Sequence, residues 1–132
     1  MIKFIRIHKE EPYLLFKEKY DQAFTINQKN IEAFSISSHS KITNEVDSRY
    51  VNLKIIDGED FIFFTNYNST KSRQFESNNN IAALFFWNKI NLQIRIKAKI
   101  YKLDESLSDT YFSQRQKEKK CISNIFSTIR TN

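Results

Sequence analysis

Residues 48–66 have the sequence SRYVNLKIIDGEDFIFFTN, which predicts a β-hairpin. Both halves are rich in Val, Ile, Phe and Tyr, the residue types that favour strands. The DGED segment between them predicts a tight turn in which Gly58 is free to take a positive φ. We therefore predict antiparallel strands at residues 48–56 and 61–66.

Three further segments predict strands. Residues 31–38 (IEAFSISS) alternate between apolar and polar side chains, and residues 81–87 (IAALFFW) are apolar on both faces, as in a central strand. Residues 92–101 (LQIRIKAKIY) alternate most clearly. One face is predicted to carry Leu92, Ile94, Ile96, Ala98 and Ile100, and the other Gln93, Arg95, Lys97, Lys99 and Tyr101.

Three segments predict helices. Residues 10–24 (EEPYLLFKEKYDQAF) place apolar side chains at helical spacing behind Pro12, which can open a helix. Residues 69–78 (STKSRQFESN) begin with a capping serine, and residues 105–116 (ESLSDTYFSQRQ) follow a capping aspartate. The order is helix, three strands, short helix, two strands, helix. It predicts a mainly β, mostly antiparallel barrel of the α+β class with flanking helices.

The 132 residues predict a single domain, 1–132. Residues 1–10 are predicted to be an N-terminal extension, and residues 117–132, where the pattern fades, an irregular tail. One glycine excludes glycine-rich phosphate loops, and two isolated histidines predict no metal site. The single Cys121 excludes an intrachain disulfide and fits a reducing compartment, so we expect a cytoplasmic protein with no signal peptide or membrane span. The net charge of +6 indicates either anionic partners or solubility alone.

Several polar residues follow the apolar strand that ends near Thr65. A helix that begins at Ser69 has free N–H groups, and Lys71 adds positive charge, so this segment can hold a phosphate; a solvated cap is the alternative. Arg49 and Lys54 are five residues apart, which places them on opposite faces of a regular strand unless it bulges, and taken alone they are typical of surface charges.

Two further features leave alternatives open. Tyr111 and Arg115 share a predicted helix face, which suits either a phosphate monoester or the packing of Arg over the Tyr ring. The polar stripe that starts at Gln93 can face solvent, a partner subunit or RNA. The sequence indicates no catalytic triad, so an enzyme with this chain would depend on a cofactor.

Six segments in this order resemble the pyridoxamine 5′-phosphate oxidases of the FMN-binding split-barrel class. They are EPYLLFKEKYDQA, SRYVNLK, FIFFTNYNSTKSRQ, AALFFW, LQIRIKAKIYKL and SDTYFSQR, and they extend from about Glu11 to about Arg115. The resemblance implies a homodimeric split β-barrel with two FMN sites at its interface. It also implies oxidation of pyridoxamine or pyridoxine 5′-phosphate, with hydride transfer to FMN and reoxidation by oxygen.

The resemblance assigns the candidate site residues. It implies FMN contacts by Arg49, Lys54, Phe64, Thr65 and Lys71, and by Gln93 from the other subunit. It implies substrate-phosphate contacts by Lys54, Tyr111 and Arg115. No residue is assigned a catalytic role of its own.

The chain departs from the family pattern at several points. Thr70 stands where the family usually has an arginine, and Lys119 stands near the usual substrate-phosphate serine. The C-terminal tryptophan and Arg-x-His segment of the family are missing, as if the chain were truncated or out of register. An alternative function is therefore a flavin-binding split barrel without oxidase activity. A nucleic-acid-binding barrel is a third hypothesis, but no RNA-binding motif is recognisable.

Overall fold

The computed structural model describes residues 1–65, 78–102 and 118–131, with backbone alone for Phe64, Thr65 and the last of these ranges. The predicted helices at 69–78 and 105–116 therefore lie outside the described residues, apart from Asn78. The strands are β1 (Lys3–Ile5), β2 (Ala33–His39), β3 (Val46–Asp57), β4 (Asp60–Thr65), β5 (Asn80–Trp87), β6 (Leu92–Lys102) and β7 (Glu118–Thr131). Helix α1 is Glu11–Thr25, and a 3₁₀ turn at Asn88–Ile90 joins β5 to β6.

The strands form one strongly curled sheet in the order β1-β3-β2-β5-β6-β7-β4, and β3 also pairs with β4. This last pairing closes β2 to β7 into a barrel. The pairings in the ring are antiparallel, while the short β1 adds to β3 in parallel. The predicted split β-barrel, mainly β and mostly antiparallel, is confirmed.

The hairpin that defines this barrel has the predicted form. Asp57 pairs with Asp60, and Gly58 lies in the two-residue turn with φ +60°. The pairing register shifts by one residue between Leu53 and Ile55, so β3 carries a bulge at Lys54. Beyond Leu53 towards its N-terminus, β3 leaves β4 and pairs with β2 alone.

Replacement of Gly58 by alanine should destabilise the protein by about 1–2 kcal/mol, because the left-handed conformation is strained for a residue with a Cβ. Steric crowding adds little, since the added Cβ would lie 3.7 Å from the Arg6 carbonyl oxygen, which is an ordinary contact. Urea denaturation measures the change. Gly58→Asn is the control and should cost less, because asparagine tolerates this conformation better. Equal losses for both variants would contradict the argument.

The core lies inside the barrel under α1. This helix begins at Glu11 with Pro12 in its first turn and buries Phe16, Tyr20 and Ala23, so the predicted amphipathic helix is confirmed. The alternation predicted for β6 is also confirmed: Leu92, Ile94, Ile96, Ala98 and Ile100 are buried. Trp87 is 1% exposed, and its indole N–H donates to the Ile31 carbonyl oxygen.

Three expectations differ from the structure. The predicted N-terminal extension contains β1, which pairs with β3 at residues 55–57 and follows the buried Ile2. The tail predicted to be irregular forms β7 over 118–131, because β4 and β6 both offer it a pairing edge. Strand β5 is central but not buried on both faces: its residues alternate, and Leu84 and Phe86 are 38% and 56% exposed.

Within the described part of the chain, no helix is long and apolar enough to cross a membrane.

Candidate functional site

One end of the barrel collects the elements that carry the predicted site. Strand β4 ends there at Thr65, which pairs with Glu118 at the start of β7. Strand β6 ends nearby at Lys102, which pairs with Lys120. We call this end, where β4 and β6 finish and β7 begins, the rim. The segments 66–77 and 103–117 connect to the described residues here, which places their attachment points together.

Arg49 lies on β3 towards the same end, four residues beyond the last residue that pairs with β4. It is in phase with the buried Val51 and Leu53, so it belongs to the inner face. Its side chain is 17% exposed, and its guanidinium donates to Ser38 Oγ at 3.4 Å. Burial lowers the pKa of Arg49, and the Asp47 carboxylate, 3.8 Å away, partly offsets this. The result is a positioned, partly desolvated cation, which suits an anionic ligand.

Ser38 also borders a cavity of about 520 Å³ between β2, β5 and β6. This volume is in the range of small-molecule sites. Its lining combines apolar and cationic side chains: Ser37, Ser38, His39, Val46, Asn78, Asn80, Ile81, Ala82, Lys97, Ala98 and Lys99. Lys97 and Lys99 belong to the outer face of β6, whereas Arg49 is on the inner face of β3 and does not line this cavity.

Lys54 occupies the bulge of β3, so the expected opposition of Arg49 and Lys54 across a regular strand does not apply. Its Nζ lies 3.0 Å from Glu32 Oε2, and the side chain is 36% exposed. Burial by itself raises the pKa of Glu32, but hydrogen bonds from the Met1 amine and Lys54 outweigh it and leave this pKa below its ordinary value. In this structure the Lys54 ammonium is held by a carboxylate.

The other candidate residues for FMN and substrate near the rim fall into two groups. Phe64 and Thr65 are the last two residues of β4, where they pair with Lys119 and Glu118. The structure describes their backbone only. Lys71, Tyr111 and Arg115 lie outside the described residues altogether. Their proposed roles remain predictions.

Gln93 lies far from the rim. It is the second residue of β6, paired with Phe86, and nine residues separate it from Lys102, about 30 Å along an extended strand. It alternates with the buried Leu92 and Ile94, so its side chain is on the outer face of the barrel, whereas Arg49 is on the inner face. The structure does not bring Gln93 to Arg49 within one chain.

Sequence reasoning missed the immediate partners of the two cations. Glu32 is 22 residues from Lys54, and Ser38 is 11 residues from Arg49. Antiparallel pairing of β2 with β3 brings both pairs together. These contacts could not be predicted from the β3–β4 hairpin. Their prediction would have required knowledge of the register between β2 and β3.

Comparison with known proteins supports the resemblance. A family model described as pyridoxamine 5′-phosphate oxidase matches residues 17–130. A pyridoxine/pyridoxamine 5′-phosphate oxidase of a Nostoc species is 36% identical over 104 residues, which cover 79% of this chain and 48% of the relative. A pyridoxine/pyridoxamine 5′-phosphate oxidase of Flavobacterium psychrophilum is 38% identical over 107 residues, which cover 80% of this chain and 50% of the relative. The chain thus spans about half the length of these curated relatives.

Solved structures show the same fold. PhzG from Burkholderia lata, crystallised with tetrahydrophenazine-1-carboxylic acid, superimposes with a TM-score of 0.72 at 24% identity, covering 80% of this chain and 52% of that protein. A pyridoxamine 5′-phosphate oxidase-related, FMN-binding protein of Nostoc punctiforme gives a TM-score of 0.63 at 10% identity, covering 80% and 54%. At these identities the likeness concerns the split-barrel fold alone.

Proposed function

Because this chain belongs to the pyridoxamine 5′-phosphate oxidase family, we propose that it binds FMN and oxidises pyridoxamine or pyridoxine 5′-phosphate to pyridoxal 5′-phosphate, with oxygen as acceptor. The observation that carries the proposal is Arg49, a partly desolvated guanidinium on the inner face near the rim. A flavin phosphate would meet this cation together with Thr65 and Lys71. The donor set suits a phosphate dianion, since guanidinium and ammonium groups bind such anions with charge-assisted hydrogen bonds.

The protein's own contribution is binding and orientation. Bound FMN would supply the redox chemistry of the proposed oxidation, with oxygen as the final electron acceptor and hydrogen peroxide as its product. Arg49 and Lys71 would hold the cofactor phosphate, Tyr111 and Arg115 would hold the phosphate of the substrate, and Lys54 would contact both ligands. Two anchored phosphates fix the relative position of substrate and flavin, which lowers the entropic part of the barrier.

We also propose that the active form is a homodimer with FMN at its interface. Two observations support this. Gln93 and Arg49 lie on opposite faces of one chain, so a second copy is needed to bring both to one flavin. The outer face also exposes Leu84 and Phe86, apolar side chains that association would cover.

If each FMN site is shared between two subunits, a mixture of two variants that each bind FMN poorly should recover part of the FMN binding. Arg49→Ala and Gln93→Ala homodimers each have two defective sites, but a mixed dimer has one intact site. Random exchange of subunits should restore about a quarter of the FMN sites. Flavin fluorescence titration of the separate and mixed variants measures this. Mixtures that bind no more FMN than the sum of the two variants would refute the shared site.

The direct test of the function is peroxide release. Protein loaded with FMN should turn yellow and release hydrogen peroxide when pyridoxamine 5′-phosphate is added. Bound FMN without peroxide release would favour the alternative, a flavin-binding split barrel that lacks the oxidase activity. Protein that cannot be loaded with FMN would refute both.

A further inference from the structure

Glu32 connects the start of β2 to the bulge of β3 through two contacts. Its carbonyl oxygen accepts a hydrogen bond of 2.8 Å from the Leu53 N–H, and its side chain Oε2 lies 3.0 Å from the Lys54 ammonium. The other carboxylate oxygen accepts from the Met1 amine. The backbone contact fixes the position of Glu32, so its carboxylate is presented to Lys54 by the sheet and not by a free loop.

Partial burial and opposite charges strengthen the contact between Glu32 and Lys54. The Glu32 side chain is 19% exposed and that of Lys54 is 36% exposed, so water screens the pair less than a surface pair. The pKa of Glu32 is lowered despite the contribution of burial, so the carboxylate stays charged at neutral pH. The pair is lost as pH falls through this lowered pKa. A carboxylate at this distance offsets much of the field of the ammonium and opposes any second anion.

We propose that Glu32 competes with the anionic ligand for Lys54: it holds the lysine ammonium beside β2 until a phosphate takes its place. This inference rests on the proposed function, in which Lys54 contacts a phosphate. Glu32 is thus a positioning residue that acts through Lys54. Its effect is selective, because a phosphate dianion attracts the ammonium more strongly than a monoanion does, so weakly charged ligands fail to displace the carboxylate.

The first test is a double-mutant cycle on FMN affinity. Glu32→Gln keeps the shape of the side chain and its backbone hydrogen bond but removes the charge, and it should tighten FMN binding roughly three- to tenfold. In the Lys54→Ala background the same change should have almost no effect, because no ammonium remains to be released. Glu18→Gln, on the exposed face of α1, makes the same change in net charge and should leave FMN affinity unaltered.

The two possible failures are separable. Weaker or unchanged FMN binding by Glu32→Gln overturns the inference while the proposed function stands. If the wild type binds no FMN, the proposed function fails, and amine labelling with an acylating reagent, read by mass spectrometry, decides the inference. Lys54 should react at least about threefold faster in Glu32→Gln than in the wild type, relative to the exposed Lys3. Inorganic pyrophosphate should also protect it more in the variant. Equal labelling rates or equal protection overturn the inference.

Discussion

Phe85→Ala is expected to destabilise the protein by about 3–5 kcal/mol, the range for loss of a fully buried aromatic ring. The Phe85 ring is fully buried and stacks on Phe34, with centroids 4.8 Å apart. It also meets Phe16 and Trp87 at 5.3 and 5.8 Å. Truncation therefore leaves a cavity whose walls are rigid aromatic rings from several elements, and such a cavity cannot readily collapse.

Urea denaturation followed by tryptophan fluorescence measures this loss directly. Trp87 is the single tryptophan of the chain and lies beside the substituted ring, so its emission reports the transition. Phe24→Ala is the matched control: the ring is 48% exposed at the end of α1, and its removal should cost about 1 kcal/mol or less. Similar losses of stability for the two variants would contradict the tight aromatic packing described around Phe85.

Strands with strict alternation could be predicted from the sequence, and those held by their neighbours could not. In β6 each apolar residue is buried and each intervening cation is exposed, so the pattern alone gives both the strand and its faces. Strand β7 contains Lys, Ser, Asn and Thr among its apolar residues and has no clear period. It forms because β4 and β6 satisfy its backbone on both sides, and such tertiary pairing can override local propensity.

In the candidate site, too, some features could be predicted from the sequence and others depend on pairing between strands. Resemblance to a family placed Arg49 and Lys54 in the site, but their charges and spacing alone left a surface role open. The bulge at Lys54 depends on the register between β3 and β4, which no short stretch of sequence specifies. Glu32 could not be found from local sequence because the β2–β3 pairing alone brings it to Lys54. Contacts between strands, and not residue types, decide what each cation does.

Arg49→Ala should weaken FMN binding about 10- to 150-fold, which corresponds to the roughly 1.5–3 kcal/mol of one charge-assisted hydrogen-bonded contact. The loss should be near the upper end, because the guanidinium is already partly desolvated and held by Ser38, so the apo protein has met part of the cost of ordering it. Titration of FMN with quenching of Trp87 emission measures the dissociation constant. Unchanged unfolding by urea would show that the loss concerns the ligand.

Three companion variants separate charge, geometry and site. Arg49→Lys keeps the charge but not the planar donor pair, so it should recover only part of the affinity. Lys9→Ala removes an exposed cation and should leave FMN binding unchanged. Arg115→Ala should weaken binding of pyridoxal 5′-phosphate by a factor similar to that of Arg49→Ala on FMN, while sparing FMN itself. If Arg115→Ala loses FMN as severely as Arg49→Ala, both cations serve one phosphate. The assignment of separate cofactor and substrate anchors would then be wrong, because each anchor must respond to its own ligand alone.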